Sequence, residues 1–118
     1  MAEQRIILEL GAGTALHGGD YTKAAVRAVN DAIHHSSLTF IRALGLKASD
    51  MRVEVTIGVQ KPEAVDRAAV EAVLPHGRIN VKVVKGGLDV PDPENNDLAV
   101  VASAAVEAWF DLAGATAS

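Results

Sequence analysis

The chain has 118 residues, 49% of them apolar but only 3% aromatic, no cysteine, and a formal charge of −4. That length fits a single domain over residues 1–118, with a core built from Ala, Val, Ile and Leu. The missing cysteines exclude disulfides, thiolate metal sites and thiol nucleophiles, and an acidic balance with no basic cluster argues against nucleic acid.

Arg5 to Leu10, RIILEL, alternates with Ile6, Leu8 and Leu10 on one face and predicts a strand. A glycine loop from Gly11 to Gly19 follows. The stretch DYTKAAVRAVNDAIHH predicts a helix capped by Asp20 or Thr22, with Ala25, Val26, Val29 and Ile33 as its apolar stripe. Ser36 and Ser37 interrupt it. LTFIRALGL then predicts a further helical segment stopped by Gly45, with a strand as the alternative. MRVEVTIGV is the cleanest strand, with Val53, Val55, Ile57 and Val59 on one side. Pro62 opens another helix, whose inner face is Val65, Ala69 and Val73 and which ends at Pro75 to Gly77. RINVKVV is a third strand, with Ile79, Val81 and Val83 inward. KGGLDVPDPENND reads as an acidic, solvated, mobile loop. A last helix is expected from Leu98 to Leu112, capped by Asn96 or Asp97.

Strands that alternate are covered on one face only. The order β-α-(α)-β-α-β-α therefore predicts an α+β fold: one mixed or antiparallel sheet with its helices on one face. The other face, with Glu9, Glu54, Thr56, Asn80 and Lys82, is wet or used for assembly. The last segment, LAVVASAAVEAWF, is apolar nearly all round as a helix and needs burial on more than one side. It predicts a homo-oligomer, with a ring of three as first choice. The chain has no apolar stretch long enough to span a bilayer and no basic-then-apolar start, so no membrane partner and a cytoplasmic location are expected.

The glycine loop is the main candidate site. Glycines allow backbone amides to converge on one point, and a helix N-terminus adds its own free amides and positive dipole end. The dinucleotide fingerprint fails because Leu16 stands where its third glycine belongs. A P-loop fails because Gly19 and Asp20 replace its lysine and hydroxyl. What remains is an anion or small-molecule pocket formed by Gly11, Gly13, Gly18 and Gly19, against the plainer reading of a flexible turn. His17, inside the run, is the candidate catalytic residue as a proton carrier or oxyanion partner. Asp20, Lys23, Arg27 and Arg42 are candidate ligand-binding residues, Asp20 also reading as a helix cap. Gly86 and Gly87 are a second backbone nest or a tight bend. His34 and His35 are adjacent, so they do not face one another as a chelating pair. His76 reads as a turn residue. No metal site and no cofactor is expected.

The stretch GAGTALHGGDYTKAAVRAVNDAI resembles a small family of uncharacterised bacterial and plant proteins that carries the motif G-x-G-x-D-x-H-G. Gly11, Gly13, His17 and Gly18 match it, and Ala15 replaces its aspartate. The segments TKAAVRAVNDAI, SLTFIRAL, KGGL and NDLAVVASAAVEA extend the likeness over nearly the whole chain. The resemblance carries no activity with it. It implies that an acidic partner of His17 is missing, so that the site is altered or inactive or recruits Asp20. The layout is also similar to the small trimeric folds of Bacillus-type chorismate mutase and the ring-opening amidohydrolases, which implies trimers with pockets between subunits. Two functions stay open on these grounds. One is a cofactor-independent hydrolase or proton-transfer enzyme, such as a lyase or isomerase, acting on a small anion or cyclic amide. The other is a ligand-binding or assembly protein without turnover.

Overall fold

The computed structural model describes residues 3–34, 45, 47, 50–74 and 77–111. His35, Ser36, Ser37, Arg42 and His76, and nearly all of LTFIRALGL, lie outside the described residues.

The first strand, β1 (Gln4–Ala15), continues well past RIILEL, so Gly11 and Gly13 lie in a strand and not in a loop. Its neighbour is β5 (Asp97–Phe110), antiparallel from Gln4↔Phe110 to Ala15↔Val100, with a register shift between Arg5 and Ile7. The expected last helix is thus corrected to a strand. Val100, Ala102, Ala104, Val106, Ala108 and Phe110 are all buried, which is a period of two. The period was masked because the alternate positions, Val101, Ala105 and Trp109 among them, are largely apolar as well. A strand in the middle of a sheet reads that way, and so does a buried helix.

The remaining strands are β2 (Arg52–Val59), β3 (Arg78–Lys85) and β4 (Leu88–Asp92). β2 runs antiparallel to β5 and parallel to β3, giving a mixed sheet ordered β1-β5-β2-β3, with β4 paired to β5 beyond the end of β2. The acidic stretch expected as a mobile loop therefore contains a strand. Pro91 hid it, since proline is tolerated in a strand only where its missing N–H faces an open edge.

Between β3 and β4 the chain steps inward across the end of β2. Gly87 has φ 65°, and a Cβ there would lie 2.2 Å from the Val101 carbonyl oxygen. One on Gly86 would lie 3.2 Å from the Gly58 Cα. The Gly86 amide is donated to the Val59 carbonyl at 2.9 Å. The glycine pair is a tight crossing of backbones.

The helices among the described residues pack on one face of the sheet. The expected helix from Pro62 is split into a 3-10 turn, Pro62–Ala64, and a short α2 (Arg67–Glu71), because Val65 is extended and Asp66 caps α2 by accepting from the Ala68 and Ala69 amides. α1 (Tyr21–His34) lies directly on β1. Ala24, Ala28 and Ala32, spaced by four and fully buried, sit over the two strand glycines. A Cβ on Gly13 would come within 2.3 Å of the Ala24 carbonyl and the Ala28 amide. On Gly11 it would come within 2.5 Å of the Ala28 carbonyl and the Ala32 amide. Helix and strand touch backbone to backbone, which only these small residues permit. α1 also closes the outer edge of β1. Asp31 accepts from the Ala12 amide at 2.9 Å, and Arg27 donates to the Thr14 carbonyl at 2.6 Å. Since those backbone groups point outward, alternation turns the amides of Gly11 and Gly13 to the β5 ladder.

Among the described residues no helix lies over the opposite face of the sheet. As expected, it carries Glu54, Thr56, Asn80 and Lys82. Leu8 and Leu10 belong to this face too, at 44% and 66% exposure, whereas Glu9 is on the helix side, opposite Val106.

Candidate functional site

Between β1 and α1 the chain turns at residues 16–20. Asp20 accepts from the Lys23 amide at 3.0 Å with its side chain and from the Ala24 amide at 3.1 Å with its carbonyl, so it caps α1. Gly18 and Gly19 have φ of 79° and 58°, which folds the turn back over the start of β5. There the Gly19 amide donates to the Leu98 carbonyl at 3.0 Å.

Asp97, the first residue of β5, fastens this turn. Its Oδ1 accepts from the Gly18 amide at 2.7 Å and the Leu98 amide at 2.8 Å, and its Oδ2 lies 2.8 Å from Nδ1 of His17. The Gly18 amide first, then the His17 ring and the Leu98 amide, hold the carboxyl down to about pKa 2. An ionised carboxylate only accepts, so the Nδ1 proton is on the ring. In neutral imidazole Nε2 then carries the lone pair. The His17 side chain is 84% exposed, so Nε2 is the atom offered to solvent.

Two expectations change. The amides of Gly18 and Gly19 are both taken by the polypeptide, and the Asp97 carboxylate stands where a bound anion was expected. The acidic partner of His17 is neither absent nor Asp20. It is Asp97, which the sequence places at the end of an acidic loop as a candidate helix cap. Nothing local links residues 80 apart, so only the β1–β5 pairing brings them together.

A second pair lies behind the first. The buried Tyr21 hydroxyl donates to Oδ2 of Asp89 on β4 at 2.5 Å. That hydrogen bond, with burial next, pushes the Tyr21 phenol up to about pKa 12. The other oxygen of Asp89 is buried with no hydrogen-bond partner. Asp89 sits opposite Val100, which sits opposite Ala15. Two carboxylates of the β4–β5 hairpin thus hold the β1–α1 junction, Asp97 at the surface and Asp89 inside. The sequence places Asp89 in an acidic loop and carries no local signal for this contact.

Of the other candidates, Lys23 is exposed on α1, and Arg27 is spent on the edge of β1. Gly11, Gly13, Gly86 and Gly87 serve close backbone contacts. Among the described residues no three histidine or acidic side chains group as a metal-holding set. Nor, among them, is any helix long and apolar enough to cross a membrane.

Residues 5–108 match a family described as "Conserved hypothetical protein (Lin0512_fam)". A crystal structure from Nostoc punctiforme, described as an FtsZ-like protein of unknown function, is similar to this chain with a TM-score of 0.83 and 39% identity. The match covers 94% of this chain and 98% of the other. No curated protein matches.

Proposed function

Because the chain belongs to the conserved hypothetical Lin0512 family, whose description names no activity, we propose a function from the geometry of the β1–α1 turn. The turn is a small-molecule site in which Nε2 of His17 accepts a hydrogen bond or a proton from the ligand. The observation that carries this is the 2.8 Å contact between Asp97 and Nδ1, which sets the ring's tautomer while the outer nitrogen stays open. A carboxylate–imidazole pair of this kind serves as a general base and then as a general acid. Since Asp97 already fills the amide cluster, the ligand class is a donor and not an anion: a cyclic amide or another small molecule with a polarised N–H or O–H. No cofactor is needed for such a proton transfer.

The exposure of the ring favours a second reading, binding without turnover, because water is not excluded from the reacting edge. Adding a panel of cyclic amides and small anions while recording the His17 ring and Gly18 amide by NMR separates these cases. Cyclic amides are expected to move both signals and anions neither. Lost product formation in His17→Ala marks an enzyme, and shifts with no product mark a binding protein. A ring that no N–H or O–H donor perturbs would sink both.

A further inference from the structure

We infer that the face of the sheet that no described helix covers docks against the same face of a second copy of this chain, related by a two-fold axis. Five of the six large apolar side chains exposed among the described residues stand on it: Leu8 and Leu10 on β1, Val84 on β3, and Leu88 and Val90 on β4. The rows across the sheet give the face a shape. Leu10 lies opposite Ala105 and Ala12 opposite Ser103, which is opposite Gly58, and Leu88 lies opposite Val101. A floor of small residues thus runs between a ridge on β1 and a ridge on β4. A two-fold through that floor sets each ridge over the partner's floor, so one surface supplies both halves of the fit.

Charge points to the same occupant. Where β1, β5 and β2 form the face, its carboxylates have partners within it. Glu107 is paired with Arg5 at 3.2 Å, and Glu3 with Arg52 at 2.7 Å. Glu54 is held by Arg52 at 2.6 Å and by the Asn80 amide at 2.9 Å. A face that meets its own copy must not carry an unbalanced patch of one sign, and this part of it does not. A partner selected by charge would find little to select.

Size is adequate too. Four strands at about 4.8 Å spacing and roughly ten residues at about 3.3 Å rise give a footprint on the order of 600 Å² before side-chain relief. That compares with about 800 Å² of accessible surface per partner in a standard interface. Docking by the sheet edge is disfavoured at Ala12 and Thr14, where α1 already occupies the edge groups of β1. The test of this contact does not depend on the ligand site, since neither Leu10 nor Leu88 takes part in the His17–Asp97 pair.

Sedimentation of the full chain at micromolar concentration tests it, with Leu10→Glu and Leu88→Glu as variants and circular dichroism as the check on folding. The wild type is expected at twice the mass of one chain. Each variant is expected to stay folded and to raise the dissociation constant by about a hundredfold or more, because a carboxylate is then buried against apolar surface. A monomeric wild type, an odd number of copies such as the ring of three, or an oligomer that survives both substitutions would overturn the inference.

Discussion

At the scale of single residues, two carboxylates on one hairpin have opposite surroundings. Asp97 is at the surface, held ionised by three donors, and its carboxyl is depressed to about 2. A depressed carboxyl stabilises the fold above its unfolded pKa, near 4. That contribution is lost as pH falls through the folded value. The turn should therefore keep its structure down to about pH 4 and come loose between about 4 and 2. Carbon-detected NMR titration of Asp97 and exchange of the Gly18 amide would follow this, and Asp97→Asn should abolish the transition. Tyr21 works in the other direction. Its raised pKa means that its stabilisation is complete below pH 10 and is lost as pH climbs through about 12. The ultraviolet titration of the phenol should show that midpoint and fall back toward 10 in Asp89→Asn. Asp89→Ala, which leaves a buried hydroxyl without its acceptor, should cost about 1–3 kcal/mol in urea unfolding.

At the scale of elements, the contact between α1 and β1 sets backbone against backbone and rests on five small residues. Gly13→Ala puts a methyl group where helix backbone already stands, within 2.3 Å of two atoms that no rotamer change can move. A loss of about 3 kcal/mol or more is expected, at the upper end of overpacking costs. Gly18→Ala is the control. It has open space but a φ of 79°, so only about 1–2 kcal/mol of backbone strain is expected. Denaturation curves of the two variants give the comparison, and a Gly13→Ala protein as stable as Gly18→Ala would refute the packing account. The glycines were visible in the sequence, but their purpose was not. A glycine that lets a loop bend and one that lets a helix approach look alike until the helix is placed. The alanine spacing Ala24, Ala28, Ala32 was the available clue, because it marks a helix face with no side-chain bulk.

At the scale of the whole molecule, a sheet with helices on one side leaves an apolar layer in water, and pairing two copies removes it. If that pairing holds, the unfolding midpoint should rise with protein concentration in the wild type and stay flat in Leu10→Glu, since dissociation is then part of unfolding. Scanning calorimetry over a range of concentrations measures it. The sequence points to an oligomer through an apolar last helix, which is in fact the strand β5, whereas the exposed side chains that argue for one lie on β1, β3 and β4. What the sequence determined by itself was everything with a local period: α1 from its stripe, β2 and β3 from strict alternation, and hence an α+β sheet covered on one side. Only the tertiary structure decided that Leu98 to Phe110 is a strand, that Gly11 and Gly13 lie under a helix, and that His17 meets Asp97. The physical reason is the same for all three. Each depends on a partner far along the chain, and a run of small apolar residues satisfies the helix period and the strand period alike until that partner is in place.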